Sequence, residues 1–168
     1  NLKNAINIKA RAFKECRGLQ NMGEFEREVR IGNHAFYGDI NLLKVKLEKI
    51  IELGEYSFFN CATMDANGKF NDAIKEIPKS CFSGCDYLGE IDFNNVEILH
   101  EWSFVNSTRL KVTNTKKLKK IGHSALLNTC KTNAIETFDT DSLEEIDEDG
   151  CGFMNVKKLN LKNLKKIG

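Results

Sequence analysis

The chain has 168 residues, and its 25 Lys and Arg against 24 Asp and Glu leave a net charge of +1. That balance argues against nucleic acid as the main partner, since phosphate binding needs clustered excess positive charge. No apolar run approaches the ~18 residues of a membrane span, and the opening "NLKNAINIKA" lacks the apolar centre of an export leader.

In chain order, an aliphatic residue opens each of a series of similar segments, at Ile8, Ile31, Leu53, Ile77, Leu99, Ile121, Ile146 and Ile167. The steps are 23, 22, 24, 22, 22, 25 and 21 residues, which indicates a solenoid rather than propeller blades or paired-helix repeats. Four and five positions on, a small residue sits beside a large one: Ala12-Phe13, Ala35-Phe36, Ser57-Phe58, Cys81-Phe82, Ser103-Phe104 and Ala125-Leu126. The pair suits a tight turn whose ring fills the space between layers. Three residues after Phe comes a small position (Cys16, Cys61, Cys85, Ser107), and three further an aliphatic one (Leu19, Leu42, Met64, Leu88, Leu110). This spacing predicts a short helix or 3₁₀ turn with one face inward.

An alternating stretch follows: Val45 and Leu47 around Lys46, Ile91 and Phe93 around Asp92, Leu159 and Leu161 around Asn160. Period two with one apolar face predicts a half-buried strand, closed by a further apolar residue at Ile50, Val96 and Leu164. Each unit then forms one coil of a right-handed β-solenoid with strands stacked in parallel. Local departures are "DANGKFND" in the coil from Leu53, Pro78 in place of the Gly after the opening aliphatic, and Gly150-Cys151 in place of Ala-Phe, with Phe153 refilling that gap.

The succession of Ile-Gly, Ala-Phe, Cys, Leu and a short alternating strand resembles the BspA-like (Treponema-type) leucine-rich repeats. The resemblance runs through essentially the whole chain and implies an α/β solenoid: a right-handed leucine-rich-repeat array of about seven coils of 21–25 residues. Short parallel strands would line one face and short helical or 3₁₀ turns the other. Residues 1–168 read as a single solenoid, with units opening at 8, 31, 53, 77, 99, 121 and 146 and partial units at both ends. Neither end carries a polar cap, so the chain reads as a fragment of a longer array. The resemblance also implies a cell-surface or secreted parent that binds protein or another host macromolecule, or mediates adhesion, with no cofactor.

Candidate chemistry is sparse. Cys16, Cys61 and Cys85 share a repeat position and read as core thiols, and "CFSGC" lacks the second pair that a zinc site needs. His34, His100 and His123 fall three, one and two residues after their opening aliphatics and form no ladder. With no orienting third group, phosphate loop or paired metal carboxylates, the chain reads as non-catalytic, with no metal site. Asn106 opens an "NST" acceptor triplet, which matters only in an exported eukaryotic parent. Trp102 precedes the small residue of its turn, where other units carry His34, Tyr56 and Ser80; exposed, it would mark a contact point. Lys119-Lys120, Glu144-Glu145 and Lys165-Lys166 occupy the same position in three successive coils, predicting charges that alternate in sign along one edge.

Binding is expected on the outward side of the strands, at Lys44, Lys46, Glu48, Glu90, Asp92, Asn94, Val112, Asn114, Lys116, Glu136, Lys158, Asn160 and Lys162. This broad, polar face suits macromolecular recognition. Two other settings stay open: an intracellular (cytoplasmic) scaffold subunit packed in a larger assembly, and the targeting module of a larger enzyme or toxin. Direct membrane insertion is not expected, and the oligomeric state is open.

Overall fold

The computed structural model describes residues 1–132, 134–152 and 154–168. Phe153, expected to refill the gap at Gly150-Cys151, lies outside the described residues. Thirteen short strands appear among the described residues: β1 (Asn7–Ile8), β2 (Val29–Ile31), β3 (Ile50–Leu53), β4 (Gly68–Lys69), β5 (Glu76–Ile77), β6 (Glu90–Asp92), β7 (Ile98–Leu99), β8 (Lys111–Thr113), β9 (Lys120–Ile121), β10 (Phe138–Asp139), β11 (Glu145–Ile146), β12 (Leu159–Asn160) and β13 (Lys166–Ile167). All pair in parallel with the equivalent strand of a neighbouring coil, giving a parallel β-solenoid of about seven turns.

Three rails of hydrogen bonds run along the axis. The opening aliphatics form the first, with Ile8 opposite Ile31 and Ile31 opposite Leu53 in β1–β2–β3. After an interruption it resumes through Ile77, Leu99, Ile121, Ile146 and Ile167 in β5–β7–β9–β11–β13. The expected alternating strands form the second rail, β4–β6–β8 and then β10–β12, extended by isolated bridges at Lys44–Asp65 and Ile135–Val156. The third rail runs through the aromatic turns. Phe36 N–H donates to Ser57 O at 2.8 Å, Phe58 N–H to Cys81 O at 3.0 Å, Phe82 N–H to Ser103 O at 2.8 Å and Phe104 N–H to Ala125 O at 2.9 Å.

This third rail corrects the expected helical face. Bonds such as Cys61 N–H to Phe58 O (3.2 Å) and Met64 N–H to Cys61 O (3.0 Å) close single four-residue turns that do not join into a helix among the described residues. The reason is backbone hand. Five successive coils enter the left-handed region twice, first at His34, Tyr56, Ser80, Trp102 and Ser124 (φ 58, 56, 50, 57 and 51°) and again at Gly38, Asn60, Gly84, Asn106 and Asn128 (φ 74, 57, 69, 61 and 61°). A left-handed residue ends right-handed helical winding. Here it also lets alternate residues bond to the next coil. Only two 3₁₀ turns form among the described residues, Leu47–Lys49 and Thr115–Lys117, and both follow the second rail. The strand expected at Val45–Leu47 is therefore only a bridge at Lys44 followed by a 3₁₀ turn. The glycine after the opening aliphatic has a steric cause: a Cβ on Gly122 would lie 2.8 Å from Leu99 O in the preceding coil.

The core lies between the rails. Phe13, Phe36, Phe58, Phe82 and Phe104 stack one per coil, with centroids 5.3, 5.3, 5.5 and 5.3 Å apart and planes within 9° of parallel. Phe93 and the irregular segment's Phe70 close this column from the strand side, each 5.5–5.9 Å from a ring of the stack. "DANGKFND" is thus a coil that reaches the core with Ala66 and Phe70, both buried.

Candidate functional site

The residues expected on the strand face share one side of the solenoid but are engaged pairwise along its axis. Lys46 pairs with Glu24 at 2.7 Å, while Lys44 holds the backbone bridge to Asp65 and Glu48 is half-buried in a 3₁₀ turn. On β6, Glu90 accepts from Lys111 at 2.7 Å; Asp92 accepts from Asn114 Nδ2 at 2.7 Å and from the Asn94 N–H at 2.8 Å. Glu136 pairs with Lys157 at 2.7 Å, Asn160 Nδ2 donates to Asp139 at 2.8 Å, and Lys162 lies 3.3 Å from Asp141. Lys116 and Lys158 are exposed.

Val112 is the exception: it is buried at 4% exposure, opposite Ile91. Lys111 and Thr113 face outward instead, because Val112 follows Leu110 by two residues where its partner Ile91 follows Leu88 by three; left-handed Asn114 (φ 54°) restores the count before Thr115–Lys117.

Three depressions mark this face. One of about 290 Å³ lies among Asn21, Glu24, Lys44, Lys46, Asp65 and Asn67. A shallow one of about 600 Å³ lies among Asn67, Lys69, Glu90, Asp92 and Asn114. The third, about 430 Å³, separates residues 111–116 from 134–139, where the second rail stops between β8 and β10. Two threonines stitch that gap: Thr115 Oγ1 donates to Asp139 O at 2.9 Å and Thr140 Oγ1 to Leu118 O at 3.0 Å.

Inside the coil the position three residues after Phe is a column of donors. Cys61 S–H donates to Phe36 O at 3.1 Å, Cys85 S–H to Phe58 O at 3.0 Å and Ser107 O–H to Phe82 O at 2.8 Å. Asp39 occupies the same place one coil before Cys61, fully buried, and neither carboxylate oxygen has a partner. Burial lifts its carboxyl from 3.8 to about 6. All six cysteines are free. Burial pushes the Cys81 and Cys151 thiols up to about 12 and raises those of Cys61 and Cys85 as well, which leaves these four without nucleophilic thiolate at neutral pH. Among the described residues, no three His, Cys, Asp or Glu side chains converge as a metal would require.

The left-handed column after the opening rail carries half-exposed rings. His34 stacks on Tyr56 at 4.9 Å, and beside this column Tyr37 stacks on Phe59 at 4.7 Å. Trp102 is half-buried, edge-on to His123 at 5.8 Å, with Lys79 Nζ 4.7 Å from its ring centroid. Asn106 is exposed, but its Oδ1 accepts from Asn128 and the neighbouring Ser107 is buried.

Six copies of the BspA type leucine rich repeat region match residues 6–133 and 64–168. The chain belongs to the BspA-type leucine-rich repeat family. A leucine-rich repeat protein from Bacteroides ovatus ATCC 8483 has a similar crystal structure, with TM-score 0.66 and 18% identity over 97% of this chain and 55% of that one. The BspA-type chain described here thus shares that protein's fold while spanning about half its length. Among curated proteins, none matches its sequence. No helix among the described residues is long and apolar enough to cross a membrane.

Proposed function

We propose that this BspA-type array is a non-catalytic protein-binding or adhesion module of a surface or secreted protein, wound right-handed and part of a longer array. The observation that carries the reading is the strand face, whose polar side chains are held in axial pairs around three shallow depressions. Pairing fixes these side chains before a partner arrives, so less rotamer freedom is lost on contact. Depressions lined by mixed polar groups favour a protein surface over a small apolar ligand.

The test is retention on intact cells from the organism's habitat. The labelled domain is compared with a variant carrying Lys116→Glu and Glu136→Lys, which inverts the rim of the 430 Å³ depression. Wild-type retention that the variant loses supports the reading. Equal retention, or none for either, removes it. A second reading, the intracellular scaffold, is favoured by one observation: Cys61 and Cys85 are both thiol donors to the core, a role a disulfide would remove. Counting thiols on natively sourced, denatured protein separates the two, with six favouring the scaffold.

A further inference from the structure

Asp39 stands where the following coils carry a donor. The coil opening at Ile31 places it, fully buried, between Cys16 of the coil before and Cys61 of the coil after, each three residues past its own ring position. The carbonyl it should serve is Phe13 O, and that oxygen already accepts from the Cys16 N–H at 3.0 Å. Cys61 gives its S–H to Phe36 O at 3.1 Å. Glu15, packed against Gly38, turns its carboxylate to Lys14 at 3.9 Å. These neighbours leave both Asp39 oxygens without a partner. A carboxylate buried in that state is costly unless it keeps its proton.

The same carboxyl sits on a seam that lacks one of the three rails. The coils opening at Ile8 and Ile31 are joined by the two residues of β1 and by Gly32 N–H to Ile8 O at 2.8 Å. They are joined again by the turn bonds Arg11 N–H to Asn33 O (3.0 Å), Phe13 N–H to Ala35 O (2.8 Å) and Glu15 N–H to Tyr37 O (2.6 Å). The second rail begins only with the Lys44–Asp65 bridge of the next seam; here Leu43 N–H to Gln20 O at 3.0 Å and Asn41 Nδ2 to Arg17 O at 2.7 Å stand in its place. Each coil of a solenoid rests on its neighbours alone, so one seam can open while the others stay shut.

We propose that this seam is an acid-closed hinge: protonated Asp39 supplies the missing donor and holds the two coils together, whereas ionised Asp39 draws in water and lets them part, baring the Phe36 ring and the edge of β2. Phe36 is otherwise covered by Phe13, whose ring stacks on it at 5.3 Å. The direction of the pH effect follows from burial, which holds the carboxyl at about 6 in the closed seam against 3.8 in water. Closure is therefore complete below the lower value and is lost as pH rises through the upper one. Between pH 5 and 8 the opening constant should rise about tenfold. The hinge lies on the aromatic turns and stands independently of the strand-face reading.

The test is amide hydrogen exchange followed residue by residue by NMR from pH 5 to 8, each rate divided by that of the unstructured chain at the same pH. The seam is read at Phe13, Glu15 and Gly32, and the reference seams at Phe58 and Phe82, whose amides bond across later coils. Expected is a loss of protection of about tenfold at the seam amides of wild type, with the reference amides unchanged. Asp39→Asn keeps the shape and offers a donor that does not titrate, so its seam should show no such pH dependence; Asp39→Ser, which copies Ser107, is the second variant. A seam that loosens equally in both variants, reference amides that loosen together with it, or a wild-type seam indifferent to pH would each overturn the proposal.

Discussion

Asp39 is the residue whose chemistry fits its place least. Its column supplies a donor to the Phe carbonyl of the preceding coil, and an ionised carboxylate has none to give. The folded carboxyl titrates at about 6 and the unfolded one near 3.8, so the folded state holds the proton more tightly. The stabilisation is therefore complete below the lower value and is lost as pH rises through the upper one, a change of up to about 3 kcal/mol. Asp39→Cys restores the donor seen at Cys61. In urea unfolding it should exceed wild type by about 1–3 kcal/mol at pH 7 and by clearly less at pH 4.5; a gap that fails to shrink toward acid contradicts this account. The signal is present in the sequence, since three residues after Phe36 lands on Asp39 in a column otherwise filled by Cys and Ser. The second left-handed column is legible too, in its run of Gly38, Asn60, Gly84, Asn106 and Asn128. The first is not: nothing in the chemistry of Tyr56 or Trp102 announces a positive φ, and only bonding to the next coil imposes it.

Among the elements, the Phe stack is the one the repeat interval specifies most directly, because each ring recurs at a fixed distance from an opening aliphatic. Phe58 is fully buried between Phe36 and Phe82. Phe58→Ala should cost about 3–5 kcal/mol in chemical denaturation, since a stacked coil cannot collapse around the void. A loss under about 1 kcal/mol would mean the ring is not a core element. The strands of the second rail at Ile91 and Leu159 are legible from alternation. Those of the first rail are not, because two residues hold no period to detect; β5, β7 and β9 exist through pairing alone. Val112 departs for another reason: its strand starts one residue sooner after Leu110 than Ile91 does after Leu88, which flips the outward set.

For the whole molecule, register along the axis is written in charge. Glu145 stands opposite both Lys120 and Lys166 and bonds to each, while Glu144 takes Lys165 at 3.0 Å. Lys119 pairs instead with Glu97 of the preceding coil at 2.5 Å, so the part of the expected ladder continuous through all three coils is Lys120–Glu145–Lys166. Replacing Glu144 and Glu145 by Lys should lower the Tm at low ionic strength, and the difference should fade toward 1 M salt, where the screening length is about 3 Å. A deficit that persists at high salt would assign these residues a packing role instead.

The interruptions in the two strand rails fall at different levels. Where β3 and β5 fail to pair, β4–β6 and the aromatic turns still join the same two coils; where β8 and β10 fail, β7–β9 and the turns hold. Like offset joints in masonry, the gaps among the described residues do not line up across the rod, which leaves no cleavage plane there. A pull along the axis must break at least two kinds of seam at any level, and a crack started at one gap is stopped by the courses on either side of it.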